Sequence, residues 1–377
     1  MKNTKKDKKN IIFAVGGTGG HIFPAVVIAD KLTKKNKQKQ AYFVGSGLSK
    51  NPFINTLDVE YKEVKSSTLT FGVTMIVQLF TILFGFIQSF RLMKQLNPSM
   101  VVGFGSYHSV PVVLAAVVRR IPIVLYESNV VPGRTNSFFA RYAKLILIQF
   151  AKAKDRLKSR NVFEIGLPTR MDLNEVKYTK KEARKQYKLD QDVFTLLIMG
   201  GSQGSREINV KSKEALKLLS EKNIKFQVIH LTGRVRGVSE TKRFYDSIGV
   251  KAVVRTFEEN MQLAWSAADF CISRSGGVTV GEMVKMAVPG ILIPYPDAKD
   301  DHQSKNADFI AEDVGGAIKL LSHFASPEMM LKIIADIVHK NKLKSFKTNL
   351  QRYYKGIRKY DLHDLVNELV TEEKSEV

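Results

Sequence analysis

Cysteine is almost missing from this sequence. Cys271 stands alone among 377 residues, so neither a disulfide framework nor a cysteine metal cluster can form, and a reducing compartment is the plain expectation. No Gly-Lys-Ser/Thr follows the first glycine-rich turn, which excludes a Walker phosphate loop there. Aromatic residues are 9% of the chain and do not interleave with the basic ones in a stacking pattern, which argues against nucleic acid as a partner. No Asp-x-Asp pair stands in a loop suited to a metal–diphosphate; Asp190 and Asp192 fall in a polar connector and read as turn residues. No metal and no other cofactor is therefore expected. The stretch Met1–Asn10 reads as a basic tail. The apolar run after it, Ile11–Val15, is too short for a signal peptide and leads into glycines.

What is present in excess is positive charge. Lys and Arg number 59 against 36 Asp and Glu, a formal +23. Residues 1–165 carry +17 of this. So uneven a distribution marks the half that meets something anionic, either a membrane surface or phosphorylated ligands.

The length suits two domains. Short apolar runs alternate with helical patterns from end to end. Strands are expected at Ile11–Val15, Tyr42–Val44, Met100–Val102, Ile123–Tyr126, Leu145–Gln149 and Val162–Ile165. In the second half they are expected at Phe194–Met199, Phe226–Leu231, Ala252–Thr256, Phe270–Ser273, Ile291–Ile293 and Ala317–Leu320. Continuous apolar strands separated by helices make doubly wound parallel sheets covered on both faces. The chain also repeats itself: IIFAVGGTGG (Ile11–Gly20) and LLIMGGSQG (Leu196–Gly204) both read strand, glycine turn, helix. The expected fold class is α/β, with two Rossmann-like doubly wound parallel-sheet domains facing across a cleft. Residues 1–166 would form the first, residues 167–344 the second, and helices in 345–377 would pack back on the first.

The glycine loops carry the chemistry. In Gly16-Gly17-Thr18-Gly19-Gly20-His21 the glycines let the backbone approach a ligand closely, and the helix that follows aims its first amides at the loop. His21 at that helix start suits a general base, or else a capping histidine. The pair Gly103–Gly105, with Ser106 and Tyr107, follows a strand, and this loop should lie near Gly16–Gly20. Two adjacent anion-binding loops in the basic half suit a diphosphate. The second-half loop Gly200–Ser205 repeats the arrangement, with the Ser202 hydroxyl able to reach a phosphoryl oxygen. Ser273–Glu282 is again strand, Ser-Gly turn and helix. Glu282 there can accept from two vicinal hydroxyls, as acidic residues hold ribose.

Val73–Phe90 is apolar apart from one narrow stripe of Thr74, Gln78, Thr81, Gly85 and Gln88. It could be a membrane span, a buried core helix, or a helix with one face on its domain and one in a membrane interface. A span would cut the first domain between its strands. Nearby Lys62, Lys65, Arg91 and Lys94 favour the interfacial reading.

The string VGGTGGHIFPA (Val15–Ala25), the GFGSY loop, SRSGGVTVGE and the DDHQ-xx-NA run (Asp300–Ala307) together resemble the MurG family. Its members are the UDP-N-acetylglucosamine:undecaprenyl-diphospho-muramoyl-pentapeptide N-acetylglucosaminyltransferases of peptidoglycan synthesis. The resemblance implies a GT-B fold, inversion at the anomeric carbon, and a peripheral place on the cytoplasmic face of the cell membrane. It also implies a part in cell shape and division alongside other cell-wall synthesis proteins. The partners would be UDP-N-acetylglucosamine, the lipid-linked muramoyl-pentapeptide and an anionic membrane surface.

By motif matching, the donor would be met by Thr18, Gly19, Gly20, Asn129, Arg170, Ser202, Phe257, Gly277, Val278, Thr279, Val280, Gly281, Glu282 and Gln303. The acceptor diphosphate would lie on Gly16, Gly17, Gly105, Ser106 and Tyr107. His21 is the first choice of base and Glu127 the second. The family often has His-Glu-Gln-Asn where this chain has Tyr126-Glu127-Ser128-Asn129, Gly-Asn-Pro at Gly166-Leu167-Pro168, and Thr-Val-Ser-Glu at Thr279–Glu282. Other UDP-sugar-dependent GT-B enzymes, a glycolipid transferase or a UDP-N-acetylglucosamine 2-epimerase, are the alternatives.

Overall fold

A computed structural model describes residues 9–16, 19–34, 39–50, 54, 59–70, 72–172, 177–201, 203–234, 237–339 and 342–371. The chain forms two compact units, Met1–Leu173 with Arg358–Val377, and Asn174–Ile357.

The first unit runs β1 (Lys9–Ala14), α1 (Gly19–Thr33), β2 (Lys39–Gly45), β3 (Glu60–Glu63), α2 (Met75–Leu96), β4 (Met100–Gly103), α3 (Val110–Val118), β5 (Ile123–Glu127), α4 (Arg134–Phe139), β6 (Leu145–Ile148) and β7 (Val162–Glu164). Its seven strands are all parallel, in the order β3-β2-β1-β4-β5-β6-β7. Successive residues of β1 serve opposite faces. Ile11 and Phe13 enter one hydrophobic core with Val102 and Tyr126, while Ile12 and Ala14 enter the other with Val112 and Leu125. Apolar side chains at every position are what such a doubly covered strand requires. The edge strand β3, EYKE, has no apolar run and is mostly exposed. It was not among the expected strands, because nothing but pairing to β2 makes it one.

The second unit runs α5 (Lys180–Gln186), β8 (Phe194–Met199), α6 (Arg206–Glu221), β9 (Phe226–Leu231), α7 (Val238–Ser247), β10 (Ala252–Arg255), α8 (Met261–Ala267), β11 (Phe270–Ser273), α9 (Gly277–Met286), β12 (Gly290–Leu292), α10 (His302–Asp308), β13 (Ala317–Lys319), α11 (Pro327–His339) and α12 (Lys342–Gly356). Its six parallel strands follow β10-β9-β8-β11-β12-β13. Both sheets thus reverse direction beside their first strand, at β1/β4 and at β8/β11. In open α/β sheets ligands bind outside the carboxyl ends of strands at such a switch point.

Helix α12 packs on α9 and α11 within the second unit. The chain rejoins the first unit only at Arg358, later than the 345 expected from sequence. The return is anchored by α13 (Leu362–Val366), whose Leu362, Leu365 and Val366 enter the core around α1. Tyr360 packs edge-on against Phe163 at 5.3 Å between ring centroids.

Helix α2 turns its polar stripe inward. Gln78 Oε1 accepts from Thr70 N at 2.8 Å, and Gln88 Oε1 accepts from Lys65 N at 2.9 Å. At Gly85 a Cβ would overlap the Lys65 carbonyl oxygen, so only glycine lets the helix lie this close. The apolar flanks face outward: Val77 and Phe80 are 67% exposed, and Ile76, Leu79, Leu83 and Phe84 are also exposed. A buried core helix is therefore ruled out; only 11% of its most apolar window is buried, at a mean hydropathy of 1.6.

Candidate active site

At the first switch point β1 and β4 run side by side, Ala14 opposite Gly103, and deliver two loops into contact. A Cβ on Gly16 would stand 2.8 Å from Ser106 Oγ and 3.5 Å from His108 Cβ. Gly105 and Ser106 both take positive φ, 75° and 76°. For serine this is strained backbone. It is held by Ser109 Oγ, which donates to the carbonyls of Gly105 and Ser106 at 2.7 and 2.9 Å. Tyr107 is half-buried, and its carbonyl accepts from Ser66 Oγ at 2.8 Å. Gly19 and Gly20 open α1, and His21 follows half-buried in its first turn. Gly17 and Thr18 lie outside the described residues. His108, not singled out from sequence, has a buried Nδ1 with no partner among the described residues. Burial lowers its pKa, so a neutral imidazole lines this loop.

Glu127 ends β5 and is 3% exposed. Its Oε1 accepts from Asn129 N at 2.9 Å and Asn129 Nδ2 at 3.1 Å; its Oε2 accepts from Gly133 N at 3.0 Å and Asn136 Nδ2 at 2.9 Å. Four donors fill the acceptor sites of a carboxylate. Burial raises its pKa, and the bonds from Asn136, Gly133 and Asn129 oppose that rise. All four bonds tie the Glu127 carboxylate to the segment 129–136, so it holds the loop that presents Asn129. Tyr126 is packed into the core against Phe104, at 5.7 Å between centroids.

At the second switch point Ser273 lies opposite Met199. Gly201 and Gly204 take φ of 83° and 79°, and Ser205 caps α6 by accepting from Ile208 N. Ser202 itself lies outside the described residues, as does the Arg170 side chain, whose backbone starts a short 3-10 turn in the first unit. Gly277, Val278, Thr279, Val280, Gly281 and Glu282 form the first turns of α9. The aim of the α9 amino terminus is fixed from α10. Ser275 Oγ donates to the Gln303 carbonyl at 2.7 Å, and Asn306 Nδ2 donates to the Ser275 carbonyl at 3.0 Å. Gln303 Oε1 accepts from Tyr295 N at 3.0 Å.

Phe257 is half-buried between β10 and α8. Its neighbour Glu258 fixes that turn, accepting from Tyr187 Oη at 2.7 Å, Arg255 at 2.5 Å and Asn260 N at 3.0 Å. Arg274 has the widest reach. It donates to the carbonyls of Ile293 and Pro294, to the hydroxyls of Ser205 and Ser322, and to Glu207 at 2.9 Å. Its guanidinium ties the second glycine loop to the segment that leads to Gln303. The role of Arg274 depends on partners far away in sequence, and that of Glu258 on Tyr187 as well as on its neighbours Arg255 and Asn260, so no local signal revealed them. Among the described residues Asp361, His363 and Asp364 are close enough to share a cation, but Asp361 is occupied in capping α13.

Comparison with known proteins then decides the family. The family model for the glycosyltransferase family 28 N-terminal domain matches residues 11–148, and that for the C-terminal domain matches residues 195–365. The chain belongs to glycosyltransferase family 28. Within this family it is 41% identical over 347 residues to a protein of Protochlamydia amoebophila (strain UWE25), covering 92% of each chain. It is 32% identical to a protein of Chlamydia muridarum (strain MoPn / Nigg), over 87% of this chain and 89% of that one. Both are named UDP-N-acetylglucosamine–N-acetylmuramyl-(pentapeptide) pyrophosphoryl-undecaprenol N-acetylglucosamine transferase. The crystal structure of Acinetobacter baumannii MurG superposes with a TM-score of 0.74 at 25% identity, covering 96% of this chain and 99% of that one. The two doubly wound sheets are those of a GT-B glycosyltransferase. As a family 28 enzyme, the chain presents one cluster of glycine loops at the switch point of each sheet.

Proposed function

We propose that this enzyme transfers N-acetylglucosamine from UDP-N-acetylglucosamine to undecaprenyl-diphospho-N-acetylmuramoyl-pentapeptide, with inversion at the anomeric carbon. The observation that carries this reading is 41% identity, over 92% of each chain, to a relative named for that reaction. The acceptor 4-hydroxyl attacks the anomeric carbon, His21 takes its proton, and the bond to the UDP oxygen breaks. The leaving diphosphate gains negative charge, which Ser202, the amides of Gly200–Gly204 and Arg170 would stabilise. Gly16, Gly17, Gly105, Ser106 and Tyr107 would cradle the acceptor diphosphate. Thr18, Gly19, Gly20 and Asn129 would approach the donor sugar, the Phe257 backbone the uracil and Gln303 the N-acetylglucosamine.

The test is radiolabelled transfer from UDP-N-acetylglucosamine to a synthetic muramoyl lipid diphosphate. Label is expected in the lipid with this donor, and little with UDP-glucose or UDP-N-acetylgalactosamine. UDP release without lipid acceptor would favour an epimerase instead.

The outward apolar flanks of α2, with exposed Lys62, Lys65, Arg91 and Lys94 near them, suit a peripheral seat on an anionic, cytoplasm-facing bilayer. Each basic residue near such a surface contributes about 1 kcal/mol. Arg91→Glu with Lys94→Glu should therefore weaken binding to anionic vesicles by at least about tenfold. Unchanged vesicle affinity would count against this seat. A bilayer role of this kind would place the enzyme in cell-wall growth and division, beside other cell-wall synthesis proteins.

A further inference from the structure

The chain has one tryptophan, Trp265 on α8, and it is fully buried. Its indole Nε1 donates to Glu282 Oε2 on the neighbouring helix α9 at 2.9 Å. Glu282 is half-buried, and its Oε1 has no hydrogen-bond partner among the described residues. Such an arrangement is costly for a carboxylate. Burial pushes Glu282 up to about 7, against the pull of the Trp265 N–H and the Lys285 charge. A glutamate placed only to favour a helix N-terminus would need neither the burial nor the indole.

A glutamate's last torsion is broad and poorly fixed by rotamer preference alone. One directed hydrogen bond therefore sets the plane of the carboxylate. We propose that Trp265 is a positioning residue for the sugar-nucleotide donor: it pins one oxygen of Glu282 and leaves the other to receive the vicinal hydroxyls of the ribose. The indole touches no substrate and acts only through Glu282. This rests on the reading that Glu282 meets ribose.

Binding of UDP and of 2′-deoxy-UDP, each measured by calorimetry, separates positioning from packing. The wild-type enzyme should prefer UDP. Trp265→Phe keeps an aromatic ring but removes the N–H. It should weaken UDP by about tenfold to a hundredfold, the worth of one hydrogen bond to a charged group, and weaken 2′-deoxy-UDP, which keeps only the 3′-hydroxyl, clearly less. Glu282→Ala should abolish the preference altogether. Equal weakening of both ligands by Trp265→Phe would reduce Trp265 to a packing residue and overturn the proposal, as would no weakening of either. If Glu282→Ala also weakens both ligands equally, the ribose reading itself fails.

Because Trp265 is the sole tryptophan, a second measurement needs no variant. The 15N-labelled wild-type enzyme gives a single indole cross-peak. Saturation with UDP should shift it clearly more than saturation with 2′-deoxy-UDP. Equal shifts, or none, would overturn the proposal even if Trp265→Phe did not fold.

Discussion

His21→Ala is expected to lower kcat by about 10²–10⁴-fold, the usual contribution of a positioned general base. The donor KM should change little, because the proposed role of His21 is toward the acceptor hydroxyl. The acidic limb of the pH–rate profile, where an essential base becomes protonated, should disappear with it. Histidine is half-buried here in the first turn of α1, directly after the loop whose Gly16 touches Ser106.

Glu127→Gln should behave differently. The amide would place N–H groups against Gly133 N or Asn136 Nδ2, which are themselves donors. Each buried donor left unpaired costs about 1–3 kcal/mol, so the thermal midpoint should fall together with activity. His21→Ala should leave that midpoint nearly intact. If the two variants show the reverse pattern, with Glu127→Gln stable and inactive and His21→Ala active, the assignment of base and positioning residue is inverted.

The difference between these two residues marks how far the sequence could be read. Strands such as β1 and β8 declare themselves because parallel strands covered on both faces must be apolar throughout. The glycine loops declare themselves because few other residues tolerate such backbone. β3 could not be seen, since its identity comes from a neighbour's hydrogen bonds and not from its own side chains.

The polar stripe of α2 was legible as a stripe, but not its direction. In a soluble helix polar residues face water, whereas here Gln78 and Gln88 bond the chain segment beneath. Within the site the loops were legible and their supports were not. Asn136 with Glu127, Trp265 with Glu282, and Arg274 with Ser205 and Pro294 are contacts between different elements of the fold. Each supporting side chain would pass for ordinary surface or core composition when read alone.

The second large effect is expected at a pair of glycines that meet backbone to backbone. Gly233 follows β9, and Gly204 belongs to the second glycine loop. A Cβ on Gly233 would overlap the Cα and N of Gly204, and a Cβ on Gly204 would lie 2.9 Å from the Gly233 Cα. Neither segment is free to retreat. Gly204 N donates to the Gly201 carbonyl and Gly233 N to the Thr256 carbonyl, both at 2.9 Å. Asn209 Nδ2 holds the Thr232 carbonyl at 3.0 Å. Asn209 is held in turn by His230, which also contacts the Tyr245 hydroxyl at 2.9 Å and is kept neutral by burial.

Gly233→Ala therefore carries two costs. The first is about 1–2 kcal/mol for an L side chain at a φ of 72°. The second is an overlap with main chain, which cannot be relieved by a rotamer change and adds about 1–3 kcal/mol or more. Gly249→Ala isolates the first cost, since Gly249 has a φ of 67° and open space around its Cβ position. In urea unfolding Gly233→Ala should lose clearly more stability than Gly249→Ala. Its UDP affinity should fall by at least about 100-fold, because the overlap displaces the loop whose amides are proposed to receive the diphosphate. Were the two alanines to cost the same and UDP affinity to survive, the close approach of these backbones would have no part in shaping the donor site.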